Sequence, residues 1–352
     1  MDDAQEAERL SPAPPVPDAT TSGGRARRLV RLATLDVTPL RRHRDFRLLF
    51  IGRGVSFLGS MVTYVALPYQ AFRITHSSLA VGLLALVELG PLLTMALVGG
   101  ALADARDRRR MVQLSELGLA LVSIGLMVNA LLPHPRLVVL YAAALVMASL
   151  DGIQRPSLEG LLPRIVERHE LTAAGALMSL RSTVGMVVGP ALGGVLIATA
   201  GLSTTYLLDV ITFAVSLVAL RRMRAVPPPP DAERPSVRSV LEGWRYARGR
   251  QDLLGTYLVD MVAMFFAMPM ALFPAIAERF GGASVLGLLY AAPAVGSMVA
   301  TATSGWANHV HRHGVAITVS ATLWAPPSWA SACRPLSPSR SASSWPRARP
   351  TW

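Results

Sequence analysis

Apolar residues in this chain fall in long unbroken blocks, not in the alternating or amphipathic patterns of a soluble domain. A helix that crosses a bilayer needs about 20 mostly apolar residues. Eight stretches answer to that requirement: 48–74, 79–103, 111–132, 137–153, 171–200, 204–220, 252–277 and 284–306. Several contain Gly and Pro, which membrane helices tolerate better than soluble ones. Burying eight such helices in a soluble protein would require amphipathic helices to cover them, and the chain has too few. The pattern predicts an all-α polytopic membrane protein with about eight transmembrane helices.

Composition agrees. Of 352 residues, 52% are hydrophobic and 16% charged, and the mean hydropathy is +0.42. This excludes a disordered, collagen-like or disulfide-stapled chain. A single cysteine, Cys333, allows no intrachain disulfide. The net charge of +12 comes from arginine alone, since there is no lysine. A basic chain can bind nucleic acid, so placement decides. The segment before the first span carries nine arginines, and the second, fourth and sixth connections carry four, three and eight. The odd connections hold only Arg73, Arg136 and Arg279. The positive-inside rule then puts the N-terminus and every even connection in the cytoplasm, with the chain in the inner (plasma) membrane. Arginines sorted in this way suit anionic lipid headgroups, and nucleic acid is not an expected partner.

The apolar blocks also divide the chain. Residues 1–47 read as a disordered basic cytoplasmic tail, with no signal peptide ahead of the first span. A six-helix transmembrane bundle over 48–220 is followed by a cytoplasmic central loop, 221–251. That loop holds the stiff spacer Pro227–Pro230 and a short amphipathic helix over 237–248. Six helices before a long basic loop suggest two six-helix halves, a common transporter plan. The second half stops after two helices, 252–306. Residues 307–352 form a cytoplasmic loop and an aberrant tail rich in Pro, Ser, Arg and Trp. A reading-frame shift near 323–327 is the expected origin of that tail, giving a truncated chain.

A charge inside a span is costly and marks a functional candidate. Glu88, in the middle of the second stretch, is the proton-coupling candidate. Asp260, Arg53 and Arg181 are candidates for lining a cavity or forming ion pairs. Snorkelling toward the cytoplasmic surface is the expectation for both arginines, with Arg53 also open to pairing a buried carboxylate. Glu116 and Asp209 are expected at the membrane interface, and Asn129, Gln70 and Tyr64 are expected to add polar contacts in the cavity. His309, His311 and His313 read as a solvated loop, because no acidic or cysteine ligand accompanies them. Without lysine there is no phosphate-binding P-loop. No nucleophile–base constellation marks an enzyme, and no metal or cofactor is expected.

Two motifs carry a resemblance. Gly99-Gly100-Ala101-Leu102-Ala103-Asp104-Ala105-Arg106-Asp107-Arg108-Arg109-Arg110 resembles the cytoplasmic signature of the major facilitator superfamily, G-x-L-A-D-R-x-G-R-[RK]. Ala105 and Asp107 depart from it. The resemblance makes Gly100, Asp104, Arg106, Arg108 and Arg109 a conformational latch. Gly185-Met186-Val187-Val188-Gly189-Pro190-Ala191-Leu192-Gly193-Gly194 resembles the antiporter motif of exporters in that superfamily. There Gly185, Gly189, Gly193 and Gly194 give a smooth packing face and Pro190 a bend. The segments Arg44–Phe50, Val65–Pro68, Leu161–Arg164 and Ala271–Pro274 are similar to the enterobactin-exporter-like, or transmembrane secretion effector, branch. The resemblance covers about residues 41–314. It implies a proton-coupled exporter of small amphipathic molecules, of drug or siderophore type, working by alternating access between two bundles. The alternative is a truncated, non-transporting membrane remnant or interaction protein.

Overall fold

The computed structural model describes residues 36–226 and 270–303, with residues 249, 250, 255, 258 and 319; at 93 and 96–105 it describes the backbone alone. The predicted basic tail up to residue 35, most of the central loop, Asp260, the three histidines and the aberrant tail lie outside the described residues. The elements are α1 (Thr38–Arg42), α2 (Arg44–Thr75), α3 (Ser78–Ala105), α4 (Arg108–Leu131), α5 (Leu137–Ile165), α6 (Leu171–Arg221), α7 (Phe273–Phe280) and α8 (Ala283–Ala302). Short 3₁₀ turns at Arg168–Glu170 and Met270–Leu272 precede α6 and α7. Among the described residues every regular element is helical, and five helices are long and apolar enough to cross a membrane.

α6 contains 51 residues. Straight, it would reach about 76 Å at 1.5 Å per residue, far beyond a bilayer. Gly201 breaks it, with φ 81° and ψ 171°. Met178 near its start and Leu220 near its end meet in one apolar cluster with Leu49, Val112 and Leu161. Ile197 and Tyr206, on either side of Gly201, share a second cluster at the other end of the bundle. The helix therefore doubles back at Gly201, and its two limbs are the fifth and sixth predicted stretches.

α5 corrects the sequence reading in a different way. Its apolar run was expected to stop at residue 153, yet the helix continues to Ile165 through Pro156 and Pro163. Its 29 residues extend about 44 Å, so the last turns project beyond the apolar layer. Arg155, expected in a connection, consequently lies within a helix.

One end of the bundle is tied by polar contacts. His43 Nε2 lies 2.8 Å from Glu170 Oε2, and Arg42 lies 3.5 Å from Glu170 Oε1, joining the start of α2 to the start of α6. Asp107 caps α4, accepting from the backbone N–H groups of Arg109 at 2.9 Å and Arg110 at 3.3 Å. Arg109 then donates to the carbonyls of Leu220 and Arg221, both at 2.9 Å, where the α6 dipole favours a cation. The contacts put the start of α2, the α3–α4 connection, the start of α6 and its end on one side. That is the grouping the arginine count predicts.

Burial is inverted relative to a water-soluble protein. Ser56, Thr63, Glu116, Ser123, Thr205, Asp209 and Ser216 have no exposed surface, whereas Leu79, Leu86, Leu121, Val138 and Val195 are more than half exposed. Lipid explains this arrangement, since it solvates leucine and not serine.

Gly201→Ala tests the fold-back. Its surroundings would accommodate a methyl group, since nothing lies within 4 Å of that position. The backbone conformation there is nearly restricted to glycine, so the substitution should cost about 1–3 kcal/mol through strain alone. Thermal unfolding of the purified protein in detergent reads this as a lowered Tm.

Candidate functional site

A cavity of about 350 Å³ opens between α2, α3 and α5 on one side and the Met270 turn and α8 on the other. Its wall is mostly apolar, with Leu67, Pro68, Leu84, Leu92 and Met147, but two carboxylates, Glu88 and Asp151, face into it. Arg155 also lines it and lies 3.8 Å from Asp151, one helical turn away. Glu88, the predicted coupling residue, is thus half-buried at the cavity wall. Asp151 was missed, because the apolar run seemed to end beside it.

Aromatic rings close the side facing α7 and α8. The Tyr64 and Tyr290 rings meet edge to face at 5.3 Å, and Phe273 packs on Tyr290 in the same manner at 5.3 Å. The Tyr64 hydroxyl contacts the Met270 sulfur at 3.3 Å, and that of Tyr290 donates to the Met270 carbonyl at 3.4 Å. Tyr64 therefore fulfils its expectation as a cavity residue. Gln70 and Asn129 do not. Gln70 is buried below the cavity and accepts from the Tyr206 hydroxyl at 2.8 Å. Asn129 holds the α4–α5 connection, accepting from the Arg136 N–H at 2.9 Å.

Beside the cavity runs a buried polar seam. On α2, Arg53, Ser56, Thr63 and Gln70 are spaced three, seven and seven residues apart, which places them along one helical face. The Arg53 guanidinium pairs with Glu116 of α4, and Ser56 donates to the same carboxylate at 3.0 Å. Arg53 therefore does not snorkel: its side chain is 10% exposed and that of Glu116 is fully covered. Asp209 lies farther along the seam, bonded by Thr63 and Ser123. Glu116 and Asp209 are thus interior groups and not interfacial ones. Each sits just over two turns from the nearest helix end or break, and the polar partners that allow it there belong to other helices. The even spacing of hydroxyls on α2 was the available signal.

Arg181 does not snorkel either. Its guanidinium carbon lies 5.8 Å above the Phe57 ring, a cation–π contact. Its Nε and Nη1 are buried without a hydrogen-bond partner.

The two sequence motifs take distinct places. Gly185, Gly189 and Gly193 turn toward α2, where an added methyl at each would collide with Phe57, Met61 and Val62 respectively. Gly194 turns the other way. A methyl there would meet the Ala283 carbonyl at 2.6 Å and Gly287 Cα at 2.8 Å, so α6 and α8 touch backbone to backbone. Pro190 is buried in the same limb. The glycine motif thus lets one limb of α6 contact both α2 and α8. Gly287, its counterpart on α8, was not singled out from sequence.

In the other motif, Arg106 is exposed, and the Arg108 guanidinium lies where a Gly160 side chain would stand on α5. With Arg109 on the α6 terminus, the arginines brace α4 against α5 and α6. The backbone at Gly100 and Asp104 is helical, and their side chains lie outside the described residues. The helix-capping role of Asp107 was missed, although an Asp ahead of an apolar run is a recognised start signal.

These features are those of a multi-pass membrane transporter built on packed helical bundles. The profile of the transmembrane secretion effector family matches residues 34–325. The chain belongs to that family, a branch of the major facilitator superfamily. It is 32% identical over 287 residues to the enterobactin exporter EntS of Shigella boydii serotype 18 (strain CDC 3083-94 / BS512), covering 81% of this chain and 69% of that protein. It is 31% identical over the same length to EntS of Escherichia coli O139:H28 (strain E24377A / ETEC), with the same coverage. Among solved structures, a POT family transporter in complex with a thioalcohol-conjugated peptide aligns with TM-score 0.45 and 17% identity. That alignment covers 66% of this chain and 52% of the transporter, so the chain spans about half the length of that structure.

Gly287→Val should force α8 away from α6 and lower the Tm of the purified protein in detergent. Gly296→Ala on the same helix, with nothing within 4 Å, should leave the Tm unchanged or raise it slightly. Equal effects of the two substitutions would contradict the backbone contact.

Proposed function

We propose that this protein is a proton-coupled exporter of small amphipathic organic molecules, of drug or siderophore type, in the inner membrane with its N-terminus cytoplasmic. The observation that carries the reading is the cavity between the first bundle and the second-half segments, with its apolar wall, aromatic rings and two carboxylates. A small amphipathic molecule would lay its apolar part against Leu67, Leu84 and Met147 and its rings against Tyr64 and Tyr290. Glu88 would exchange a proton with whichever side the cavity faces, and Asp151 with Arg155 would set the charge the substrate meets. The similarity to the EntS proteins, which are named as enterobactin exporters, supports the direction and the substrate size class.

Alternating access would move the two halves against each other around this cavity. The close α6–α8 contact at Gly194 and Gly287 supports a pivot, because two bare backbones can roll without side chains interlocking. The arginine motif at the α4 terminus would act as the latch, with the exposed Arg106 engaging the second half in one conformation.

Efflux of ethidium from a dye-sensitive host tests this reading. Cells carrying the chain should clear the dye faster than empty cells, lose that advantage on addition of a protonophore, and lose it again with Glu88→Gln. Efflux that persists in Glu88→Gln or ignores the protonophore would overturn the coupling. A correctly inserted chain with no efflux above background would instead support the non-transporting alternative.

A further inference from the structure

The seam holds a carboxyl that neither the Arg53–Glu116 pair nor the cavity accounts for. Asp209, on the second limb of α6, has no exposed surface. Its Oδ2 accepts two hydroxyl hydrogen bonds, from Thr63 of α2 at 2.6 Å and Ser123 of α4 at 2.7 Å. Its Oδ1 is buried and has no hydrogen-bond partner.

The charges around it offer no compensation. From α4 the facing group is Glu116, an anion already held by Arg53 of α2. From the first limb of α6, Arg181 lies over Phe57. On its own limb Tyr206 donates to Gln70. The titratable group of α8 is Tyr290, whose hydroxyl donates to Met270. On α5, Asp151 and Arg155 pair with each other, and on α1 Arg42 pairs with Glu170 at the arginine-rich end. Among the described residues no arginine or histidine forms an ion pair with Asp209. An ionised carboxylate taken out of water costs several kcal/mol even after relaxation. Two neutral hydroxyl donors offset only part of that cost, and a neighbouring anion adds to it.

We propose that Asp209 is an internal proton-binding site, reached from the cavity past the Thr63 side chain. Thr63 both lines the cavity and donates to Asp209, so one side chain separates the carboxyl from the substrate space. A proton on Oδ1 removes the uncompensated charge and leaves Oδ2 free to keep both hydroxyl bonds. Gly59 preserves the space for it, since a methyl there would press on Asp209 Oδ1 at 2.7 Å and on the Thr212 hydroxyl. The Thr212 hydroxyl, on the same limb, donates to the Asp209 backbone carbonyl at 2.7 Å. Glu88 and Asp209 then form two proton positions on opposite sides of α2, one in the cavity wall and one behind it.

The proposal rests on the exporter reading only for the use the proton is put to. Its test reads protonation itself. Infrared difference spectra of the purified full chain, taken between about pH 5 and about pH 9 where buried carboxyls titrate, should contain a carboxylic C=O band. Asp209→Asn, whose amide oxygen keeps the Thr63 and Ser123 bonds, should abolish that band, and Glu88→Gln should leave it in place. Thr63→Val should move it to higher frequency, because a carbonyl oxygen relieved of a hydrogen bond stretches faster, and this variant serves if Asp209→Asn does not fold. Spectra identical in wild type and Asp209→Asn, a band unmoved by Thr63→Val, or a carboxylate signal that appears only with sodium would overturn the assignment. Absence of ethidium efflux in cells would bear on the exporter reading and not on these spectra.

Discussion

A charge inside a bilayer has no water to turn to, so its partner has to come from the protein. In this chain that constraint is met by a seam of polar groups shared among α2, α4 and the second limb of α6. Arg53 and Glu116 neutralise each other there, Ser56 adds a hydrogen bond, and Thr63 and Ser123 converge on Asp209. Between helices that lipid surrounds, burial of leucine gives little net attraction, because lipid chains are as apolar as leucine. Association then depends on close backbone approach and on polar contacts of this kind. The glycine face of α6 supplies the first, and the seam supplies the second.

The two devices act at different places in the bundle. Polar contacts with fixed partners hold α2, α4 and α6 as one body, and the arginines of the α4 terminus brace its end. The α6–α8 contact has no side chains to interlock at Gly194 and Gly287. The cavity is lined by α2, α3 and α5 on one side and by the Met270 turn and Tyr290 of α8 on the other. Charge placement follows the same division: the Arg53–Glu116 pair lies within the packed bundle, while Glu88 and Asp151 face the cavity.

Much of this was legible in the sequence, for identifiable reasons. Spans announce themselves because bilayer thickness imposes a minimum apolar length, and Gly201 marks a turn between two of them. Motif glycines could be read because close packing demands their lack of a side chain. Depth within the membrane was read less well. Asp151 lies inside the predicted 137–153 stretch but carries no local sign of facing a cavity, and α5 runs about three turns beyond that stretch. Glu116 and Asp209 were assigned to the interface because their partners, Arg53, Thr63 and Ser123, are distant in sequence. Pairing across helices has no local signature; only the recurrence of polar residues along one face of α2 hinted at it.

The central claim is that lipid encloses a bundle in which the buried Arg53 and Glu116 charges compensate each other. A double-mutant cycle on Arg53 and Glu116, read by unfolding in detergent, tests it most directly. Arg53→Met or Glu116→Met alone should cost about 3–5 kcal/mol by stranding a buried charge, and the double substitution should recover most of that loss. Single losses of about 1 kcal/mol or less that simply add would describe an exposed ion pair, and would contradict the account.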